Sequence, residues 1–144
     1  KKLFEKINKY FNSDLSNKKI AIWGLSFKPN TDDIREAPAI ELIVDLLSKN
    51  VKISVFDPEA NQNVKAIFGD QLEYAEDMYE AAHNADALAI VTEWSLFRSP
   101  DFGTISEKMK QKVIFDGRNL YEPEKMKQLG FYYSSIGRQT IIQN

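Results

Sequence analysis

The segment 24–38, GLSFKPNTDDIREAP, carries two cationic side chains, Lys28 and Arg35. A lysine presents a mobile point charge and an arginine presents a planar fork of donors, and both suit anionic ligands. The alternative is that Arg35 pairs with Asp32 or Asp33 while Lys28 is solvated, and charge alone favours it. Because the segment directly follows an expected strand, the two interpretations carry about equal weight, and both stay open.

A third cation, Arg118, stands in the sequence DGRN at residues 116–119, after another apolar run. Glycine at position 117 permits a tight turn, which directs Arg118 towards the same edge as Lys28. Two cations at one edge of a parallel sheet favour a diphosphate or nucleotide site. A surface arginine without a ligand remains the alternative. Arg138 belongs to no recognisable pattern.

Several other polar or aromatic residues are weaker candidates. Asp57 follows an expected strand too far beyond Gly24 for the ribose-binding acid of a dinucleotide fold, so we expect a turn residue. Two adjacent carboxylates at 32–33 without a third ligand do not predict a metal site. His83, the one histidine, and Trp94 are expected to serve packing or to lie at the surface.

The composition bounds the class of protein. With 144 residues and 43% hydrophobic side chains, the chain suits one domain with a core. A net charge of −2 without a basic stripe argues against nucleic-acid binding, and no apolar run could span a bilayer, so we expect a soluble, cytoplasmic protein. The absence of cysteine excludes disulfides and a cysteine nucleophile within these residues.

Short apolar runs alternate with helical stretches along the chain. This order predicts an α/β fold: a doubly wound, mainly parallel, Rossmann-like sheet of five to six strands with helices on both faces. Strands are expected at 19–24, 51–56, 85–91, 113–115 and 131–134, and helices from Pro38 and at 60–68, 78–84, 106–111 and 124–129. The glycine-rich G-x-G-x-x-G fingerprint of a dinucleotide site is absent after the first strand.

Residues 1–13 carry apolar side chains three and four apart, which predicts one face of a helix: Leu3, Phe4, Ile7, Tyr10 and Phe11. Such a short helix is marginal alone, so we expect it to dock on its own domain or on another copy. The chain begins without methionine, which we interpret as a piece of a longer protein. Residues 1–15 would be the end of a linking helix, and 16–144 a ligand-binding domain.

The loops together resemble the C-terminal, UDP-binding domain of the UDP-glucose 6-dehydrogenases. A segment of fifteen residues and several ordered partners carry this resemblance, which spans roughly 18–138: residues 24–38, 56–58, 92–94 with 97–98, 115–121 and 132–138. The sister families that oxidise GDP-mannose or UDP-N-acetylmannosamine share the fold and part of the first loop. A non-catalytic nucleotide-sensing module is the alternative from another functional class.

The resemblance implies a function and a set of roles. The family oxidises UDP-glucose to UDP-glucuronate with two NAD molecules and a catalytic cysteine, which would lie in a preceding NAD-binding domain. Phe27, Lys28 and Arg118 would bind the nucleotide sugar, and Arg35 would reach the NAD. No catalytic or metal-binding residue would belong to this chain, which alone would be inactive. The parent enzyme is expected to be a homo-oligomer.

Overall fold

The computed structural model describes residues 2–143, in which six strands form one sheet with every neighbouring pair parallel. The strand order is β3-β2-β1-β4-β5-β6. The strands are β1 Lys19–Trp23, β2 Lys52–Phe56, β3 Glu73–Tyr74, β4 Ala87–Ile90, β5 Val113–Asp116 and β6 Tyr132–Ser135. The α-helices are α1 Lys2–Tyr10, α2 Pro38–Leu47, α3 Asn61–Phe68, α4 Met78–Ala82, α5 Phe102–Lys108 and α6 Pro123–Gln128.

The predicted α/β class and parallel sheet are confirmed, with two local corrections. Strand β3 was missed because it has two residues, Glu73 and Tyr74, at the sheet edge and no apolar run. The helix predicted at 106–111 instead spans 102–108. It begins earlier because the Asp101 carboxylate accepts a hydrogen bond from the Thr104 backbone N–H at 3.1 Å, which caps the helix.

The strands bury both faces, as the continuous apolar runs predict. Alternate residues of β1 point to opposite sides, so Ile20 and Ile22 pack with α1, α2 and α3, whereas Ala21 and Trp23 pack with α4, α5 and α6. The Trp23 ring stacks on Phe97 with centroids 5.1 Å apart. Two apolar layers therefore hold the sheet rigid, and the loops at its carboxyl edge stand on a fixed base.

Helix α1 docks on the domain itself, which confirms that its apolar face needs a partner. Ile7 is fully buried and Phe11 nearly so. The Lys6 ammonium donates hydrogen bonds to the Ser134 hydroxyl and the Ser135 carbonyl, both at 3.0 Å, and so ties the helix to the end of β6. Within residues 2–143, no helix is long and apolar enough to cross a membrane.

Candidate functional site

The carboxyl ends of the parallel strands bring together the loops that follow β1, β2, β4 and β5. In open α/β sheets, ligands bind beyond these ends. The sheet order places β1 between β2 and β4, so the loop after β1 has a neighbouring strand end on each side. The arrangement explains how residues far apart in sequence are connected in the structure.

A buried carboxylate, that of Asp57, joins three of these loops. Its Oδ2 accepts hydrogen bonds from the backbone N–H groups of Leu25 and Ser26, at 2.7 and 3.0 Å. The same oxygen accepts from the Ser26 hydroxyl at 3.1 Å and from the Trp94 indole N–H at 3.2 Å. Only 2% of Asp57 is exposed. The carboxylate therefore fixes the start of the β1–α2 loop, residues 24–37, against the loop after β4.

The other oxygen of Asp57 fixes its own loop. Oδ1 accepts from the backbone N–H groups of Glu59 and Ala60, each at 2.9 Å. The prediction of a turn residue is correct for this half of the carboxylate and misses the junction made by the other half. The missed junction could have been suspected because an acid directly after a buried strand must find donors.

The tip of the β1–α2 loop presents Phe27 and Lys28 outwards from this fixed base. Both side chains are exposed, and the Phe27 ring retains 53% of its accessible surface. The loop closes on itself, because the Phe27 N–H donates to the Asp33 carbonyl at 2.8 Å and the Ser26 hydroxyl lies 2.9 Å from the Lys28 carbonyl. The loop tip thus exposes an aromatic ring and an ammonium on adjacent residues.

Arg118 stands on a second loop, also built on a buried aspartate. Asp116 is fully buried, and its oxygens accept from the backbone N–H groups of Arg118 at 2.9 Å and Leu120 at 2.7 Å. The Tyr133 hydroxyl donates to the same carboxylate at 2.6 Å. The pKa of Tyr133 is raised above its ordinary value, chiefly by burial and secondly by this hydrogen bond to Asp116. The hydroxyl therefore keeps its proton.

Sequence reasoning found no role for Arg138, yet the structure places it in the same network. Its guanidinium donates to the Tyr133 hydroxyl at 2.9 Å, the Tyr121 carbonyl at 3.1 Å and the Ser135 hydroxyl at 2.9 Å. Arg138 therefore ties the end of β6 to the Arg118 loop. No local sequence pattern signals this contact, since its partners depend on the pairing of β5 with β6.

Residues 92–94, called here the bridge segment, connect the β1–α2 loop to the loop that carries Arg118. The Thr92 hydroxyl donates to the Ser26 carbonyl at 2.8 Å, on the side of the β1–α2 loop. The Glu93 carboxylate forms an ion pair with Arg118, on the other side. Trp94 is buried, as expected for a packing residue, although its indole also contacts Asp57. The structure thus connects the loop that carries Phe27 and Lys28 to Arg118 through one segment.

Arg35 is engaged within its own loop. It makes two parallel hydrogen bonds to Asp33, from Nε at 3.0 Å and from one terminal nitrogen at 2.9 Å. This pairing lowers the pKa of Asp33 from 3.8 to about 2, chiefly through the side-chain hydrogen bond, and the Lys28 charge contributes slightly. The pairing left open from sequence is therefore present. The Arg35 side chain remains 88% exposed, which leaves it accessible from solvent.

Other features of the described chain lie apart from these loops. A groove of about 690 Å³ beside α4 is lined by His83, Tyr79 and Glu73 among others, and by none of Phe27, Lys28, Arg35 or Arg118. Residues 2–143 contain no group of three or more histidine, cysteine, aspartate or glutamate side chains that could hold a metal ion.

The geometry of the site suits an anionic ligand, and comparison with known proteins agrees with this. Residues 21–123 match the UDP binding domain of the UDP-glucose/GDP-mannose dehydrogenase family. The UDP-glucose 6-dehydrogenase of Pseudomonas aeruginosa is 43% identical over 141 residues, which cover 94% of this chain and 31% of that protein. The family match, residues 21–123, includes every loop described above. It stops before β6 and therefore leaves out the end of that strand.

Two solved structures share the fold. A UDP-glucose dehydrogenase from Pyrobaculum islandicum superimposes with a TM-score of 0.76 at 27% identity, over 92% of this chain and 28% of that one. A UDP-D-ManNAc dehydrogenase from Pyrococcus horikoshii gives 0.74 at 26% identity, over 95% and 29%. The chain thus spans about three tenths of the proteins it resembles. The matched residues 21–123 show that it belongs to the UDP-glucose/GDP-mannose dehydrogenase family, as the UDP binding domain.

Proposed function

We propose that this chain binds the UDP part of a nucleotide sugar through Phe27, Lys28 and Arg118. The observation that carries the proposal is the bridge segment, which connects the loop of Phe27 and Lys28 to Arg118 at the carboxyl edge. Two cations in loops braced by buried aspartates are suited to a diphosphate. The exposed Phe27 ring offers an apolar surface beside them. The uridine diphosphate, rather than the sugar, carries the recognition.

The parent protein, in this proposal, is an NAD-dependent UDP-glucose 6-dehydrogenase that converts UDP-glucose to UDP-glucuronate. The identity to the Pseudomonas aeruginosa enzyme supports UDP-glucose as the substrate. The chain contains no cysteine, so the nucleophile expected for this chemistry belongs to the rest of the parent. GDP-mannose, named in the family description, and UDP-D-ManNAc, the substrate named for the Pyrococcus horikoshii protein, are the competing sugars.

NAD would be held mainly outside this chain, in the same proposal. The β1–α2 loop lacks the glycine fingerprint that seats a dinucleotide, and it reaches α2 only after residue 37. Arg35 is the one residue assigned to the cofactor. Its exposed guanidinium, held by Asp33, would present its remaining N–H groups to an anionic part of NAD. The hydride transfer itself would be supplied by the cofactor.

Replacing Arg118 with alanine is expected to remove most of the measurable UDP affinity. With much of the parent's cleft outside this chain, the unaltered chain should bind UDP with a Kd on the order of 1 mM. A hydrogen bond to a charged group contributes roughly 1.5–3 kcal/mol, so the variant should bind roughly 10- to 150-fold more weakly. Isothermal titration or ligand-observed NMR with UDP measures the change.

The Arg35→Ala variant is the matched control, because it also removes one exposed guanidinium. It should leave the Kd for UDP within about twofold, since we assign Arg35 to the cofactor; a twofold change is about 0.4 kcal/mol. Equal losses from the two substitutions would contradict the assigned division between substrate and cofactor. Undiminished UDP binding by Arg118→Ala would remove Arg118 from the proposed site.

A further inference from the structure

Glu93 places a negative charge against Arg118, at a site that we propose for an anion. The two side chains form an ion pair, with 33% of Glu93 and 40% of Arg118 exposed. An acid beside an anion site repels the ligand, so its presence needs a physical reason. The contacts around it supply one.

The backbone on both sides of Glu93 is held in place. Thr92 is 1% exposed, and its hydroxyl donates to the Ser26 carbonyl at 2.8 Å. Trp94 is 8% exposed, and its indole N–H lies 3.2 Å from Asp57 Oδ2 and 3.3 Å from the Ser26 hydroxyl. The Glu93 carboxylate therefore extends from a fixed point, and its position is set relative to the β1–α2 loop.

The ion pair engages only part of the Arg118 fork. One terminal nitrogen contacts Glu93, while within residues 2–143 no group accepts a hydrogen bond from Nε or from the other terminal nitrogen. An arginine carries five N–H donors in a fixed plane. The donors on Nε and on the other terminal nitrogen can therefore bind a phosphate while one terminal nitrogen is held by the glutamate.

We infer that Glu93 is a positioning residue that orients Arg118 for the diphosphate of the ligand and holds it at a set place relative to Lys28. This inference rests on the proposed function and extends it. A free arginine loses much rotamer freedom when it binds. An arginine already held by Glu93 has lost part of that freedom before the ligand arrives, so binding is stronger than with an unrestrained side chain.

Two substitutions at Glu93 separate positioning from charge. Glu93→Gln removes the charge and keeps an oxygen that accepts a hydrogen bond, whereas Glu93→Ala removes both. Because both variants are neutral at this position, repulsion of the phosphates is the same in each. We expect Glu93→Ala to bind UDP about fivefold more weakly than Glu93→Gln, within the limit set by arginine rotamer entropy. Glu93→Gln should bind at least as tightly as the unaltered chain.

The test measures the Kd for UDP of the three 144-residue chains, together with the NMR signal of the Arg118 Nε–H group. A held guanidinium gives a signal of its own that is distinct from those of freely rotating arginines, and it should persist in Glu93→Gln and vanish in Glu93→Ala. Equal UDP affinities of the two variants, or an Arg118 signal unchanged in both, would overturn the inference alone. Failure of the unaltered chain to bind UDP would overturn the proposed function as well.

Discussion

Replacing Asp57 with alanine is expected to destabilise the fold by at least about 3 kcal/mol, because it leaves several buried donors without an acceptor. The carboxylate accepts hydrogen bonds from four backbone N–H groups, the Ser26 hydroxyl and the Trp94 indole. The Ser26 hydroxyl and the Trp94 indole keep other acceptors, the Lys28 carbonyl and the Ser26 hydroxyl, so the loss falls on the four backbone N–H groups. An unsatisfied buried donor costs about 1–3 kcal/mol, and entering water would satisfy only some of these four. Urea unfolding, followed by tryptophan fluorescence, measures the loss.

Asp77→Ala is the matched control for Asp57→Ala. Asp77 also accepts two backbone N–H groups, from Tyr79 at 2.9 Å and Glu80 at 2.8 Å, but it is exposed at the start of α4. Loss of such a cap costs about 1 kcal/mol. Equal destabilisation by the two substitutions would show that the buried junction contributes no more than an ordinary helix cap, which contradicts our account of Asp57.

Replacing Gly24 with alanine is expected to destabilise the chain by about 2–5 kcal/mol. Gly24 has φ = 96°, and a Cβ there would lie 2.5 Å from both the backbone nitrogen and the Cβ of Thr92. The left-handed backbone costs about 1–2 kcal/mol for a residue with a side chain, and displacing packed atoms adds about 1–3 kcal/mol. The displaced atoms belong to the bridge segment, so UDP binding should weaken too.

Gly137→Ala separates the two costs. Gly137 also has a positive φ, 68°, but a Cβ built there meets nothing within 4 Å. Its replacement should cost only the backbone contribution, about 1–2 kcal/mol, in the same urea experiment. If Gly24→Ala were no more destabilising than Gly137→Ala, the close approach of Gly24 to Thr92 would not constrain the fold.

The fold could be predicted from sequence because its information is local. Five apolar runs bounded by turn residues specify buried strands, and their alternation with helices specifies a parallel sheet. The apolar pattern does not predict strand β3, because Glu73 and Tyr74 gain strand structure only from pairing with Ser54 and Val55 of β2. Edge pairing of two polar or aromatic residues is a tertiary effect, and no periodicity signals it.

The candidate site was predictable in position and not in construction. Lys28 and Arg118 follow strands, so the parallel topology alone places them at the carboxyl edge. Three contacts depend on which strands are neighbours and so are not visible in the sequence. Asp57 joins three loops, Arg138 donates to Tyr133, and Glu93 pairs with Arg118. Sequence identifies the candidate ligand-binding side chains more readily than the side chains that hold them in place.

The central claim, that UDP binds at the carboxyl edge of the sheet, is tested most directly by titrating the isotopically labelled chain with UDP and following the backbone amide chemical shifts. We predict saturable shifts at Phe27, Lys28 and Arg118, with smaller ones in the bridge segment. Shifts confined to the groove beside α4, around Tyr79 and His83, with none at the three predicted residues, would contradict the account.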